Sequence, residues 1–430
     1  MKKAVQINRI AVEFFLPIRT KFVCHLGFVL LVLSTITGCS SQTSPSRTEV
    51  DRTAASKNVI VAEAIQFTSA ILGEDREVLI AVPEGYADSD ASYPVLYVLD
   101  GRQNLPHVLG SADVLTRTGG MPPTIIIGIT GANRDRDYST STVDSIPTSG
   151  GGAKFLSFIE EELIPFVDQN YRTVPFKAFE GHSLGGALAT HALMSNTNLF
   201  DAYIIMSPAL WWDDRELITR AKTFFEAQTS LPKAVFLGIG TQDGYEMRQD
   251  LNKLAAIAGE ANIQDIRLVH QEFDAEGHMS APLQTNYFGL KHIFADLRPA
   301  NLSAESFDVD EFIAHENYIR KKYGANARQT AETYARLSFR LQEAGKFADA
   351  IAVLEQNAKS YPGYHRNYWW LASAHEKNSD LQAALTNYKR GAVLAAKSGD
   401  PMLEQYEENI DRISATITVH ARQHRSGEIQ

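Results

Sequence analysis

Seven short runs rich in Val, Ile and Leu alternate with helical stretches between residues 58 and 298, and this alternation limits the folds available to the chain. Several runs are apolar at consecutive positions, as expected for strands whose sheet is covered on both faces. The pattern predicts an α/β domain over 58–298, with parallel strands at its centre and an antiparallel start. The predicted strands lie at 77–83, 93–101, 124–130, 176–181, 202–208, 234–240 and 266–273.

The region beyond about residue 325 has no strand pattern. Its residues instead follow the spacing of a tetratricopeptide repeat, in which small residues let paired helices approach and large residues fill the space between them. We expect a connector at 299–325, an all-α tetratricopeptide-like domain at 326–420 with capping helices around 308–322 and 401–418, and a tail at 421–430. The alternative is a helical bundle without repeat ancestry. The positions that match the repeat are Tyr334, Leu337, Ser338, Leu341, Phe347, Ala350, Leu354 and Pro362, then Tyr368, Leu371, Ala372, His375, Ala384 and Tyr388.

The N-terminal segment has the pattern of an export signal, because basic residues precede an apolar stretch at 26–33 that small residues follow. The apolar stretch is too short for a comfortable membrane span. The sequence Ile36-Thr37-Gly38-Cys39 resembles a bacterial lipobox, in which the cysteine is lipidated. We therefore expect a signal peptide at 1–38, lipidation at Cys39 and a polar tether at 39–57. An uncleaved anchor and a start codon assigned too early are the alternatives.

This signal predicts an exported protein, lipid-anchored in the bacterial cell envelope on the periplasmic side or surface of the outer membrane. Both cysteines of the chain, Cys24 and Cys39, lie in this segment, so no disulfide or thiol nucleophile is expected in the exported domain. The net charge of −10 argues against nucleic-acid binding. We expect no cofactor and no metal, because residues 149–155 lack the Gly-Lys-Ser/Thr ending of a phosphate-binding loop and no histidine pair has zinc-ligand spacing.

The stretch "GHSLGG" at 181–186 contains a G-x-S-x-G motif, which is weak evidence alone. Here it follows a predicted strand and opens a helix of small residues, the context of a nucleophile elbow. We therefore predict that Ser183 is a nucleophile, while a tight helix–strand packing turn is the alternative. Adjacent residues on such a turn point apart, so His182 is predicted to be a packed histidine.

A serine nucleophile needs a base, and the base needs a carboxylate to orient it. In α/β-hydrolases the acid and then the histidine follow the serine, on loops after later strands. His278 and Asp243 satisfy this order, although Glu246 and Asp274 lie near enough to replace Asp243. The backbone N–H groups of two further residues are predicted to bind the oxyanion. These residues are Leu184, directly after the nucleophile, and Arg102, after the strand at 93–101.

Residues 58–298 resemble the Putative esterase family of α/β-hydrolases, which includes siderophore trilactone esterases, S-formylglutathione hydrolase and mycolyltransferases. The resemblance rests on "YPVLYVLDG", "GGAKFLSFIEEELIPFVDQNYRT", "GHSLGG", "LFDAYIIMSPALWWDD" and "EGHMSAP", in this order. It implies that Ser183 and His278 are the nucleophile and the base, whereas the acid is the least regular member in this family. It also places Trp211 and Trp212 near the substrate pocket, as an aromatic wall or as core residues.

The sequence as a whole predicts a lipid-anchored serine ester hydrolase, with siderophore hydrolysis as the best-motivated narrow reaction. The alternative is a catalytically retired hydrolase domain that serves as a binding or scaffold protein through its helical repeats. The expected partners are an ester substrate, the membrane through the lipid anchor, and a protein at the repeats. Because every candidate catalytic residue precedes residue 279, a chain ending near residue 300 is expected to fold and to hydrolyse small esters.

Overall fold

The computed structural model describes residues 61–131, 133–299 and 303–427. The predicted signal peptide, the lipidation site Cys39 and the tether to residue 57 lie outside these ranges, so they stay predictions. Within the described ranges, no helix combines the length and the apolar character that a membrane span requires.

A single mixed sheet forms the centre of the described α/β region, and it confirms the predicted fold class. Its strand order is β1-β2-β4-β3-β5-β6-β7-β8, with β1–β2 and β2–β4 antiparallel and the remaining pairs parallel. The apolar pattern did not predict the first strand, because this strand lies at the sheet edge and most of its side chains are exposed to water. The strands are β1 Glu63–Ser69, β2 Glu74–Ala81, β3 Tyr93–Val98, β4 Ile125–Ile129, β5 Thr173–His182, β6 Ala202–Met206, β7 Ala234–Gly240 and β8 Arg267–Phe273.

Helices cover both faces of this sheet, which explains the unbroken apolar runs of its strands. A π-helical turn at Ile159–Leu163 joins α3 to α4. The first eight helices are α1 Gly101–Arg117, α2 Arg134–Asp137, α3 Gly152–Phe158, α4 Ile164–Asn170, α5 Leu184–Ser195, α6 Trp212–Glu226, α7 Tyr245–Glu260 and α8 Ala281–Ile293. One core lies between the sheet and α3 to α7, and a second lies between the sheet and α1 and α8.

The C-terminal region is helical throughout its described part, as predicted. Its helices are α9 Val309–Tyr323, α10 Ala331–Glu343, α11 Phe347–Ser360, α12 His365–Lys377, α13 Leu381–Ser398 and α14 Leu403–Gly427. The large residues that matched the repeat spacing, such as Tyr334, Leu354 and Tyr368, are buried between these helices. Buried residues at these positions fit a tetratricopeptide arrangement, but its ancestry stays a prediction.

Helix α9 lies in the range expected to be a connector, and it packs directly on the α/β region. Tyr323 at its end is 1% exposed, and its ring contacts Phe176 and Phe294 edge to face at centroid distances of 4.8 and 5.3 Å. Its hydroxyl donates a hydrogen bond to Asp296 at 2.6 Å. A chain ending near residue 300 would lose this ring and expose the second core. A shortened chain should therefore extend past Tyr323 to keep the esterase region folded.

Replacing Tyr323 by alanine is expected to reduce the free energy of unfolding by about 3–5 kcal/mol, because a fully buried ring is lost and the cavity closes only partly. Tyr323→Phe keeps the packing and should cost only about 1–2 kcal/mol, for the lost hydrogen bond. Denaturant unfolding followed by tryptophan fluorescence measures both changes. The matched control is Tyr318→Ala on the same helix, since Tyr318 is 50% exposed. Equal losses at Tyr318 and Tyr323 would contradict the packing role of α9.

Candidate active site

Ser183 lies on the sharp turn between β5 and α5, at the carboxyl edge of the sheet. Its backbone has φ 61° and ψ −118°, a strained conformation for a residue with a side chain. The amide of Ser183 donates to the carbonyl of Met206 at 3.0 Å, and its carbonyl accepts from Ala209 at 2.9 Å. These two bonds hold the turn on β6 and on the loop that follows it. The turn thus presents a partly exposed serine hydroxyl above the sheet.

Two glycines make this turn possible. A Cβ atom at Gly181 would lie 2.1 Å from the carbonyl oxygen of Gly185, and one at Gly186 would lie 2.8 Å from that of Met206. Gly185, the second glycine of the G-x-S-x-G motif, is less restricted, because its nearest contact is the side chain of Leu99 at 3.3 Å. Gly181 and Gly186 therefore allow β5, α5 and β6 to approach closely, and Gly186, which lies just outside the motif, is more constrained than the motif glycine Gly185.

His278 follows β8 and faces Asp243, which follows β7. The Nδ1 atom of His278 lies 3.1 Å from both carboxylate oxygens of Asp243, and the side chains are 32% and 1% exposed. Burial favours the neutral form of Asp243, but hydrogen bonding to His278, the nearby Ser207 and the amide of Gly244 outweigh it and hold the pKa of this carboxyl below its ordinary value. The contact thus leaves a negative charge against the histidine ring.

The other two candidate carboxylates contact different partners. Glu246 is 76% exposed and pairs with Arg215 at 3.4 Å. Asp274 accepts a hydrogen bond from the hydroxyl of Thr241 at 3.3 Å. Neither contacts His278, so the geometry favours Asp243 as the orienting carboxylate.

The hydroxyl of Ser183 has no hydrogen-bond partner among the residues that the structure describes. The rings of His182 and His278 lie 4.5 Å apart, which places His278 beside the residue that precedes Ser183. In uncomplexed enzymes the hydrogen bond between nucleophile and base is often long and shortens when substrate binds.

The two predicted oxyanion donors lie at neighbouring helix starts. Leu184 is the first residue of α5 and Arg102 the second of α1, and amides in a first helical turn have no acceptor within their own helix. The starts are adjacent, since a Cβ atom on Gly185 would lie 3.7 Å from Asp100, the residue before α1. The side chain of Arg102 points elsewhere and pairs with Glu77 at 2.6 Å, so only its amide could act at the site.

Three residues near the site had no role in the sequence analysis. Arg134 pairs with Asp100 at 3.0 Å and donates to the carbonyl of His182 at 3.4 Å, which links the start of α1 to the serine turn. Burial raises the pKa of Asp100, and the charge of Arg134 opposes this shift. Ser207 is 1% exposed, has φ 38° and lies near Asp243. No sequence pattern distinguished these residues, because their proximity arises only when the strand ends meet.

The two tryptophans have different environments. Trp212 is 4% exposed, and its Nε1 donates to the carbonyl of Ser141 at 3.2 Å. Trp211 is 45% exposed and follows the loop that bonds the serine turn. Of the two alternatives for Trp212, core packing is therefore favoured, since its ring is buried and its Nε1–H is already hydrogen-bonded. Trp211 alone has an aromatic surface free for a ligand.

The described residues contain no group of three or more His, Cys, Asp or Glu side chains that could hold a metal ion. The site presents a serine, a histidine–carboxylate pair and backbone amides at helix starts. Together with the sheet topology and the strained serine turn, these groups have the arrangement that serine hydrolases of the α/β-hydrolase fold use.

Comparison with known proteins agrees with this class. Residues 69–278 match the sequence profile described as Putative esterase. The siderophore enterobactin esterase of Emericella nidulans is 37% identical over 106 residues, which are 23% of this chain and 35% of that protein. The ferri-bacillibactin esterase BesA of Bacillus subtilis strain 168 is 26% identical over 216 residues, which are 44% of this chain and 75% of that protein.

A solved structure extends the likeness in fold. The IroE-like serine hydrolase from Shewanella oneidensis has a TM-score of 0.57 and 24% identity, and the match covers 70% of this chain and 99% of that one. The match to the Emericella relative spans only about a third of that protein, so the activity of the relatives does not transfer to this chain without a test.

Proposed function

We propose that this protein is a serine ester hydrolase that forms an acyl-enzyme at Ser183. His278 acts as the general base that takes the hydroxyl proton, and later as the general acid for the leaving alcohol. Asp243 orients the imidazole and stabilises its charged form. The amides of Leu184 and Arg102 bind the oxyanion of the tetrahedral intermediate.

One observation supports this proposal above the others. The strained serine turn and the His278–Asp243 pair lie at the same carboxyl edge of the sheet, although residues from three separate loops must meet there. A turn at positive φ costs of order 1–3 kcal/mol and persists where the surrounding structure maintains it. A packing turn would need neither this strain nor a buried carboxylate aimed at a histidine.

For the substrate we propose a siderophore ester. Two named relatives act on siderophores, enterobactin in one and ferri-bacillibactin in the other. The exposed ring of Trp211 offers a surface for aromatic groups, and the guanidinium of Arg134, 41% exposed, offers positive charge. Both features suit an aromatic, anionic acyl group.

The proposal is tested by steady-state hydrolysis of three ester classes by the full chain. These are p-nitrophenyl esters, acetylated polysaccharide and a ferric catecholate trilactone. We expect the highest kcat/KM on the trilactone and covalent labelling of Ser183 by a fluorophosphonate. Faster cleavage of the polysaccharide acetyl groups would overturn the proposed substrate class but would still support the proposed esterase activity. No hydrolysis and no labelling would favour the retired, scaffold-type domain.

Lipid anchoring at Cys39 and a protein partner at the helical repeats remain part of this proposal. Anchoring would hold the esterase at the envelope membrane. The paired helices α10 to α13 would offer a surface for a peptide or protein.

A further inference from the structure

His182 is a buried histidine that no step of the proposed reaction uses. It ends β5 directly before Ser183 and is 2% exposed. Its ring centroid lies 4.5 Å from that of His278, with the planes inclined by 41°. The histidine proposed as the base therefore contacts Asp243 through Nδ1 and packs beside a second imidazole.

The surroundings of His182 disfavour a charge on its ring. Burial, and then the charges of His278 and Arg134, lower the pKa of His182 to about 4, against the opposing effects of a hydrogen bond to the backbone of His278 and of the charge of Asp243. Glu180 lies two residues earlier on the same face of β5, where burial raises its pKa to about 8. At neutral pH Glu180 is therefore mostly protonated and supplies no carboxylate that would stabilise a charged His182.

We propose that His182 is a positioning residue whose uncharged ring packs against His278 and fixes the plane in which Nδ1 meets Asp243. This inference rests on the proposed function, since it assigns His182 a role only if His278 is the base. The Nδ1 contact alone leaves the half-exposed ring of His278 free to tilt about its hydrogen bonds. A second ring against it removes that freedom, and displacements near 1 Å in an active site can cost about 10²-fold in rate.

The absence of charge on His182 matters for the same step. When His278 takes the serine proton it becomes an imidazolium, and a like charge at 4.5 Å would destabilise it. A neutral ring supplies the packing without this repulsion. A flat aromatic side chain should therefore replace His182, while a small or branched one should not.

The test compares His182→Ala, His182→Leu and His182→Phe in the full chain, with kcat calculated per active site from the burst of p-nitrophenol. We expect kcat to fall about 10–100-fold in the alanine and leucine variants with KM changed less than about twofold, and to return to within about threefold of wild type in the phenylalanine variant. The acid limb of the pH–rate profile should be the same in wild type and His182→Phe, because His182 is already neutral there. The matched control is His191→Ala, a buried histidine on α5 that contacts Arg220 instead of His278.

Full kcat per active site in His182→Ala, or equal losses in His182→Phe and His182→Ala, would overturn the positioning role. If these variants fail to fold, NMR of the wild type labelled at histidine carbons decides the question. We expect cross-relaxation between the His182 and His278 rings and no titration of His182 above about pH 5. Separated rings, or titration near pH 6.5, would overturn the inference. A wild type that hydrolyses no ester would instead count against the proposed function.

Discussion

Ser183→Ala is expected to reduce the kcat for hydrolysis of a p-nitrophenyl ester by about 10³-fold or more, because the side chain that would form the acyl-enzyme is removed. The residual rate would come from the oxyanion amides and from substrate binding, which the substitution leaves in place. Stopped-flow and steady-state kinetics measure the loss. Circular dichroism and thermal unfolding should match wild type, because alanine keeps the Cβ atom and removes only the hydroxyl.

The matched control for this prediction is Ser195→Ala. Ser195 ends the helix that follows Ser183, about 18 Å from it along the helix axis, and its hydroxyl accepts a hydrogen bond from Arg220. Its kcat should stay within about twofold of wild type, as expected for a surface change. Retention of most activity by Ser183→Ala would remove the assignment of this chain as a serine hydrolase.

Asp243→Asn is expected to lower kcat by about 10²–10⁴-fold, with little change in KM. An amide at this position is uncharged and can donate a hydrogen bond, so it favours the His278 tautomer that cannot take the serine proton. It also removes the charge that would stabilise the imidazolium. The loss should appear in kcat and kcat/KM alike, because the contact matters in the transition state.

Asp274→Asn and Glu246→Gln are the controls, since these carboxylates were the alternatives to Asp243 on sequence grounds. Both should stay within about threefold of wild type, because neither contacts His278. A nearly silent Asp243→Asn beside a large loss in either control would show that the acid had been chosen wrongly. A large loss in all three would indicate that their shared loop region, and not one carboxylate, supports the site.

The fold class could be predicted from short patterns of apolar residues, because these patterns reflect which side chains are buried. Strands covered on both faces must be apolar at successive positions, so β3, β4, β6 and β7 were recognised. The edge strand β1 has most of its side chains exposed to water and lacks that signature. Helix α9 was expected only as a helix near 308–322, since its amphipathic pattern does not tell which surface covers it.

Some residues of the candidate site could likewise be predicted from local sequence, whereas others could be assigned only from tertiary contacts. Ser183 was recognisable because strand, turn and small-residue helix are contiguous, and His278 because chain order in this fold class limits the histidines. Asp243 remained one of three carboxylates until its oxygens were found 3.1 Å from His278. Trp211 and Trp212 had the same status in the sequence, yet one is 45% and the other 4% exposed.

The sequence by itself determined the classes of element, their order, and the residue that a strained turn presents at the sheet edge. Each of these depends on neighbours within a few residues or on the fixed order of parallel strands. Only the tertiary structure decided which carboxylate contacts His278 and that the ring of His182 packs beside it. It also decided that α9 covers the second core through Tyr323. These contacts depend on where the loops of different strands meet and on how the side chains pack together. The spacing of residue types along the sequence does not determine either of these.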